Sequence, residues 1–391
     1  MEKLRVGLLF GGRSVEHDVS IVSATSILAA LDRSRYEISL IGVDPDGRWH
    51  LADVDRALPA VFDGPEVFLP AAPGPRTLHA TERAAAVQRT GGAIVTAGSG
   101  EASPADLTAA ARLDVVFPII HGRGGEDGAL QGLFELADVA YVGSGVLSSA
   151  LQMDKDLAKR LLASASLPVT PWITFSGAAL ARDGLPAAAD RAEAEIGFPV
   201  FVKPANSGSS IGIARADSIS ELVSALADAQ RYDRKVVVEA AIDAREIEVA
   251  VLGNDDPEAS LPGEIRATRA FYDYDAKYRS EATELIIPAE LEPHESDSIR
   301  AVAIAAYKAL EGEGMARVDF LLERETHRYY VNELNSLPGF TSGSMFPKLW
   351  EATGLPYPRL LDRLIELALE RHDRRSKLET HTPPALGGAA D

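Results

Sequence analysis

Arg317 and Asp319 stand two residues apart in the run MARVDFLLE, and Glu333 and Asn335 stand two apart in YYVNELN. In both runs polar side chains alternate with apolar ones, the period of a half-buried strand. Residues 323–328 between them are polar and turn-like, so the spacing predicts a hairpin with Asp319, Glu333 and Asn335 on one face. Three oxygen-bearing side chains on rigid strands suit a hard cation such as Mg²⁺, which keeps its remaining positions for water or phosphate. Residues 336–341, SLPGFT, leave the second strand as a loop whose backbone N–H groups can face an anion. A hairpin with one solvated acidic face explains the same pattern more plainly. Arg317 beside the acids, and phosphate-type signals upstream, favour the metal.

The first such signal is VFVKPANSGSSIGI, a strand ending in Lys203, a loop of small residues and a second strand. An ammonium supplies charge to a phosphate and the loop supplies N–H and hydroxyl donors. The lysine precedes the glycines and no helix follows, so this is not a Walker A loop; a polar hairpin with a surface lysine is the alternative. Lys155, early in a helix after Asp154, is a weaker candidate of the same kind. Glu239 ends an apolar strand, where a carboxylate can take ribose hydroxyls, and Glu246 follows across a turn. Residues 271–278, FYDYDAKY, follow neither strand nor helix period and read as a loop able to close a site and deliver Lys277 to a phosphoryl group. In GGRSVEHDVS, Glu16 lies near a helix start and has the charge to hold an ammonium, although a helix dipole also explains an acid there. His121 closes an apolar strand before the turn GRGGEDG, a position suited to a substrate contact or to a cap.

These residues need elements to hold them. An apolar run at 4–10, the glycines Gly11 and Gly12 and a helix over 21–31 open an α/β domain with ligands expected at the carboxyl end of the strand. A second strand is predicted over 36–43 and a buried one over 113–120. Residues 51–111, rich in Ala, Pro and Gly, read as peripheral strands and loops. One helix is expected to start at Ser144 and carry Met153, Asp154 and Lys155; further helices are predicted over 219–229, 299–310 and 357–369. The expected domains are 1–143, 144–239 and 240–391, with the charged, then Pro/Gly/Ala-rich tail from about 372 mobile.

Composition narrows the partners. The 391 residues can hold two or three domains, and a net charge of −19 argues against a nucleic-acid or anionic-membrane binder. With no cysteine there is no disulfide, thiolate nucleophile or zinc–thiolate site. The opening MEKLRVGLLFGG is too short and glycine-rich for a signal peptide, and no apolar run reaches membrane-spanning length, so a cytoplasmic protein is expected.

Taken in order, GGRSVEHDVS, HGRGGEDG, YVGSGVLSSALQMDK, VFVKPANSGSSIGI, YDYDAKY and ARVDFLLE with VNELNSLPGFT resemble the ATP-grasp superfamily and, within it, the D-alanine–D-alanine ligases. The resemblance implies a mixed α/β, three-domain ATP-grasp fold: an N-terminal open parallel-sheet domain, and ATP between the central and C-terminal domains. It implies that Lys155 and Lys203 bind ATP phosphates, Glu239 and Glu246 the ribose and adenine side, and Lys277 the γ-phosphate. Asp319, Glu333 and Asn335 would hold two Mg²⁺ (or Mn²⁺) ions. Glu16 would take the first D-alanine's ammonium, with His121 near that substrate and Ser209 and Tyr278 in a hydrogen-bond network with Glu16. Arg317 and the Gly339 N–H would stabilise the oxyanion, while Ser344 and Met345 would receive the second carboxylate. The implied reaction forms a D-alanyl phosphate, which the amine of a second D-alanine attacks, supplying a peptidoglycan precursor. The DAKY segment resembles dipeptide-forming members rather than those using D-lactate. Arg123 departs from the residues commoner after the histidine, and the resemblance adds an expectation of a homodimer.

Overall fold

The computed structural model describes residues 2–55, 58–64, 66–69, 77–81, 107–208, 211–267 and 283–379. Three sheets carry the architecture. The first has eight strands, and Leu4–Gly11 lies near its middle. Leu4–Gly11 runs parallel to Tyr36–Val43 on one side and to Val115–Pro118 on the other, and Val115–Pro118 is in turn parallel to Ala140–Tyr141. Past Tyr36–Val43 the sheet continues as an antiparallel meander through Trp49–Asp53, Glu66–Phe68, Thr77–Thr81 and Leu107–Arg112. The expected open parallel sheet is therefore extended at one edge, because the short turn after Val43 returns the chain beside the strand it has left, and so short a link joins only antiparallel neighbours.

The second sheet has four antiparallel strands in the order Ala214–Ala216, Val200–Pro204, Lys235–Ala240, Trp172–Ser176. The third places Ala244–Leu252 beside Met315–Glu323, which pairs with Tyr329–Asn335; Gly263–Ala267 and Thr283–Ile286 continue the other side. The apolar residues sort into cores that do not follow chain order. One core joins the first sheet (Val6, Leu8, Phe117) to the third unit (Met315, Phe340, Phe346) and to the last helix (Leu360, Leu361, Leu364). The second sheet closes a separate core of its own around Val200, Val236 and Leu226. The last helix, Tyr357–Ser376, extends past the expected end at 369. Its Arg371 donates to the carbonyls of Gly143 and Tyr141 and stacks 4.2 Å from the Tyr141 ring, while Tyr36 donates to Asp362 at 2.7 Å. No helix among the described residues is long and apolar enough to cross a membrane.

Two local departures from the sequence reading matter for the site. The first helix begins at His17, ahead of the expected 21, which makes Glu16 its N-cap residue. The single helix expected to run through Met153, Asp154 and Lys155 is broken in two, Val146–Met153 and Lys155–Ser164. Asp154 leaves helical geometry at φ −87°, ψ 99°, and its carboxylate accepts from the Leu157 N–H at 3.0 Å. An aspartate cap competes with helix continuation in this way. The break leaves Lys155 as the first residue of a new helix.

Candidate active site

A cleft of about 1580 Å³ runs between the three sheets. Glu16, His121, Lys155, Lys203, Glu239, Glu246, Arg317, Asp319, Glu333, Asn335, Gly339, Ser344 and Met345 all line it. Ser209, Lys277 and Tyr278, together with the rest of residues 271–278, lie outside the described residues.

The floor is the third sheet. Asp319 faces Glu333 across the hairpin, and on its other side faces Glu248 in Ala244–Leu252, so three carboxylates form one row across adjacent strands. Like charges directly opposite are destabilising unless cations sit among them. Arg317 is one: its guanidinium forks onto both oxygens of Asp319 at 2.7 Å, and its Nε lies 3.1 Å from Glu248. Burial works against the charge of Arg317, but Asp319 and Glu248 outweigh it and hold the guanidinium firmly protonated. Lys155 is another, with Nζ 3.4 Å from Glu333 and 2.8 Å from the carbonyl of Ser207. The Asn335 amide donates to Asp319 at 2.9 Å. The pairing shifts register between Asp319 and Phe320, which places Asn332 as an extra residue opposite the break. Such a bulge re-aims side chains, and Asn332 accepts from Lys203 at 3.3 Å.

The donor set fits a hard divalent cation: two carboxylates and an amide oxygen on rigid strands, with acid charge in excess of the nearby bases. Among the described residues no group of three His, Asp or Glu side chains is spaced to hold a metal. Asn335 and oxygens of a bound ligand would therefore have to complete the shell, with Arg317 releasing part of its fork on Asp319.

Glu239 is engaged differently from the sequence reading. Its Oε2 lies 2.9 Å from Lys159 Nζ and accepts from Thr170 at 3.3 Å, and its Oε1 pairs with Lys203. Burial alone would raise its pKa, yet Lys159 and Lys203 prevail and bring it down to about 2. Both oxygens that were expected on ribose hydroxyls are thus occupied by lysines. Glu246 stands exposed at the cleft edge on the next strand.

The opposite wall belongs to the first sheet. Buried Glu16 stands at the N-cap position of its helix without a side-chain capping bond, and the loops at Gly122 and Gly208 press against its carboxylate: a Cβ on either would come within 3.0 and 3.4 Å of Oε2. Buried His121 donates from Nδ1 to the Leu337 carbonyl at 3.1 Å, tying this wall to the 336–341 loop. Burial lowers the His121 pKa, with Glu16 opposing. The turn after His121 needs Gly125, where a Cβ would fall 1.9 Å from the Ile120 carbonyl oxygen. Beyond Gly339, the Ser344 hydroxyl accepts from the Thr341 N–H at 3.0 Å, and Ser344 occupies the N-cap position of the helix Met345–Thr353 with no side-chain bond to it. Ser344 and Met345, at the start of that helix, line the cleft, and a helix N-terminus favours an anion.

Three residues here escaped the sequence reading. Glu126 lines the cleft and accepts from the Gly122 N–H at 2.5 Å. Burial and the nearby charge of Glu16 raise its pKa to about 8. The acidic pair after the glycines in GRGGEDG was its only local signal. Glu248 was visible as one polar member of an alternating strand. Lys159, inside a helix, carried no signal.

Two family models, described as the D-ala D-ala ligase N-terminus and the D-ala D-ala ligase C-terminus, match residues 5–144 and 161–366. The chain belongs to the D-alanine–D-alanine ligase family. It is 46% identical over 381 residues to a D-alanine–D-alanine ligase of Shouchella clausii, covering 97% of this chain and 98% of that one. It is 45% identical to D-alanine–D-alanine ligase A of Escherichia coli, over 97% and 100% of the two chains. Among solved structures, the D-alanine–D-alanine ligase from Coxiella burnetii superposes with a TM-score of 0.79 at 37% identity, covering 96% of this chain and 97% of that one. The VanG D-Ala:D-Ser ligase from Enterococcus faecalis also gives a TM-score of 0.79, at 31% identity over 94% and 100% of the chains. The architecture is the ATP-grasp fold, and the family uses ATP and divalent metal ions.

Proposed function

We propose that the protein joins two D-alanines to D-alanyl-D-alanine at the expense of ATP, through a D-alanyl phosphate. The observation that carries this reading is the meeting of Glu16, the lysines, Arg317 and the acid row in one cleft of a D-alanine–D-alanine ligase fold. In it, Glu16 holds the ammonium of the first D-alanine, and His121, fixed by Leu337, shapes the wall beside it. Lys155 and Lys203 meet the phosphates, and Lys277 is assigned to the γ-phosphate. Asp319, Glu333 and Asn335 would hold two Mg²⁺ or Mn²⁺ ions, which would supply Lewis-acid charge at the phosphates. Arg317 and the Gly339 N–H face the oxyanion that develops when the second amine attacks, so charge is stabilised where it forms and no protein nucleophile is needed. The N-terminus of Met345–Thr353, with Ser344, receives the second carboxylate. Ser209 and Tyr278 are assigned to a hydrogen-bond network with Glu16. The proposed assembly is a homodimer.

The test is purified protein with Mg²⁺, ATP and D-alanine, following phosphate release and separating products by chromatography. D-Alanine-dependent phosphate release with a dipeptide product is expected; none would overturn the reading. Adding D-serine or D-lactate in competition sets the second substrate: a predominantly mixed product would move the assignment away from D-alanine at that position.

A further inference from the structure

Lys159 is a buried lysine that the proposed chemistry does not use. It follows Lys155 by one helical turn but faces inward, 2% exposed, and does not line the cleft. Its Nζ donates to Thr170 Oγ1 at 2.7 Å and pairs with Glu239 at 2.9 Å. Glu239, equally buried, pairs through its other oxygen with Lys203, which does line the cleft. A chain of contacts therefore runs from Thr170 behind the sheet to the lysine that faces the ligand.

A buried carboxylate with a single cationic partner is poorly suited to a phosphate site. Incoming phosphate oxygens would compete for Lys203, and losing it would leave Glu239 charged and uncompensated, a costly state in a dry interior. Lys159 removes that conflict, since it is out of reach of the ligand and remains on Glu239 throughout. Glu239 can then stay ionised and hold Lys203 in place while Lys203 turns its remaining donors outward. We propose that Lys159 is a positioning residue for the nucleotide phosphates, acting through Glu239 on Lys203. The inference rests on the reading of Lys203 as a phosphate-binding lysine.

The experiment compares wild type, Lys159→Met and Thr170→Val in equilibrium titrations with ADP and, separately, with adenosine, after circular dichroism has established folding. For Lys159→Met, ADP affinity is expected to fall at least ~10-fold and adenosine affinity to change less than ~2-fold, with the KM for D-alanine unchanged. In a Lys203→Met background the same substitution should add less than ~2-fold, because the effect passes through Lys203. Thr170→Val keeps the lysine and should show the same pattern at about 3-fold, which preserves the test should Lys159→Met not fold. Unchanged ADP binding, parallel losses of ADP and adenosine, or additive losses in the double variant would each overturn the positioning role. Wild-type protein that binds no ADP would overturn the nucleotide reading itself, and the inference with it.

Discussion

Glu126→Gln isolates a charge that the fold carries at a cost. The Glu126 carboxyl sits at about 8 against 4.5 for an ordinary glutamate, first because burial strips its water and second because Glu16 is close. Folded protein therefore keeps this proton at pH values where the unfolded chain has lost it, so stability falls as pH rises. The penalty is absent below about pH 4.5 and complete above about pH 8. At ~1.4 kcal/mol per pH unit the full difference approaches 5 kcal/mol, and partial solvent contact at this half-buried side chain reduces it to about 3 kcal/mol. Glutamine has the same shape and keeps an oxygen for the Gly122 N–H, so the substitution removes charge and little else. Urea unfolding at pH 5, 7 and 9 should give nearly equal midpoints at pH 5 and a progressively more stable glutamine variant towards pH 9. Repeating the series with Glu16→Gln in both proteins should shrink the gap, since the second cause has been removed. A difference between wild type and Glu126→Gln that stays constant from pH 5 to pH 9 would refute the reasoning.

Glu333→Gln should lower turnover at least ~10²-fold with an unchanged unfolding midpoint, because it removes charge from a site whose work is electrostatic; near-normal turnover at saturating Mg²⁺ would count against the metal role. Gly125→Ala forces a methyl group into the Ile120 carbonyl, 1.9 Å away. It should raise the KM for D-alanine while leaving that for ATP near normal, and steady-state kinetics with each substrate varied will show whether the damage stays on that wall. Phe340→Ala empties a fully buried position against Phe117 and Phe346. A loss of about 3–5 kcal/mol is expected in denaturant unfolding, and a loss below about 1 kcal/mol would mean that the shared core reorganises freely.

What could be read in advance and what could not divide along one line. Asp319, Glu333 and Asn335 were legible because strand alternation is a local rule, and a short turn leaves their strands no choice but to pair. Lys203 and Glu239 were legible as strand-end residues, but the engagement of both Glu239 oxygens by lysines from two other segments was not. Lys159 looks like any solvent-facing helical lysine; its burial depends on Glu239, eighty positions away, and on Thr170 from a third segment. The break at Asp154 was hidden because aspartate is tolerated inside helices, and only the cap geometry shows that it stops one here. The meander past Val43 lacks strong period, being held by its neighbours in the sheet more than by its own propensity.

The way the cores are shared has a consequence for specificity. Glu16, Arg317 and the acid row are all anchored in parts joined by one continuous apolar core and by the Arg371 and Asp362 contacts of the last helix. Lys203 and Glu239 belong to the sheet that closes a core of its own. In the proposed reading, the distance between the grip on an amino acid's ammonium and the groups that act on its carboxylate is thus set within one shared core, like the jaws of a caliper. The share of phosphate binding proposed for Lys203 is set in the other core. Substitutions that retune nucleotide affinity can accumulate around Val200 and Val236 without altering which amino acid is measured as the right length.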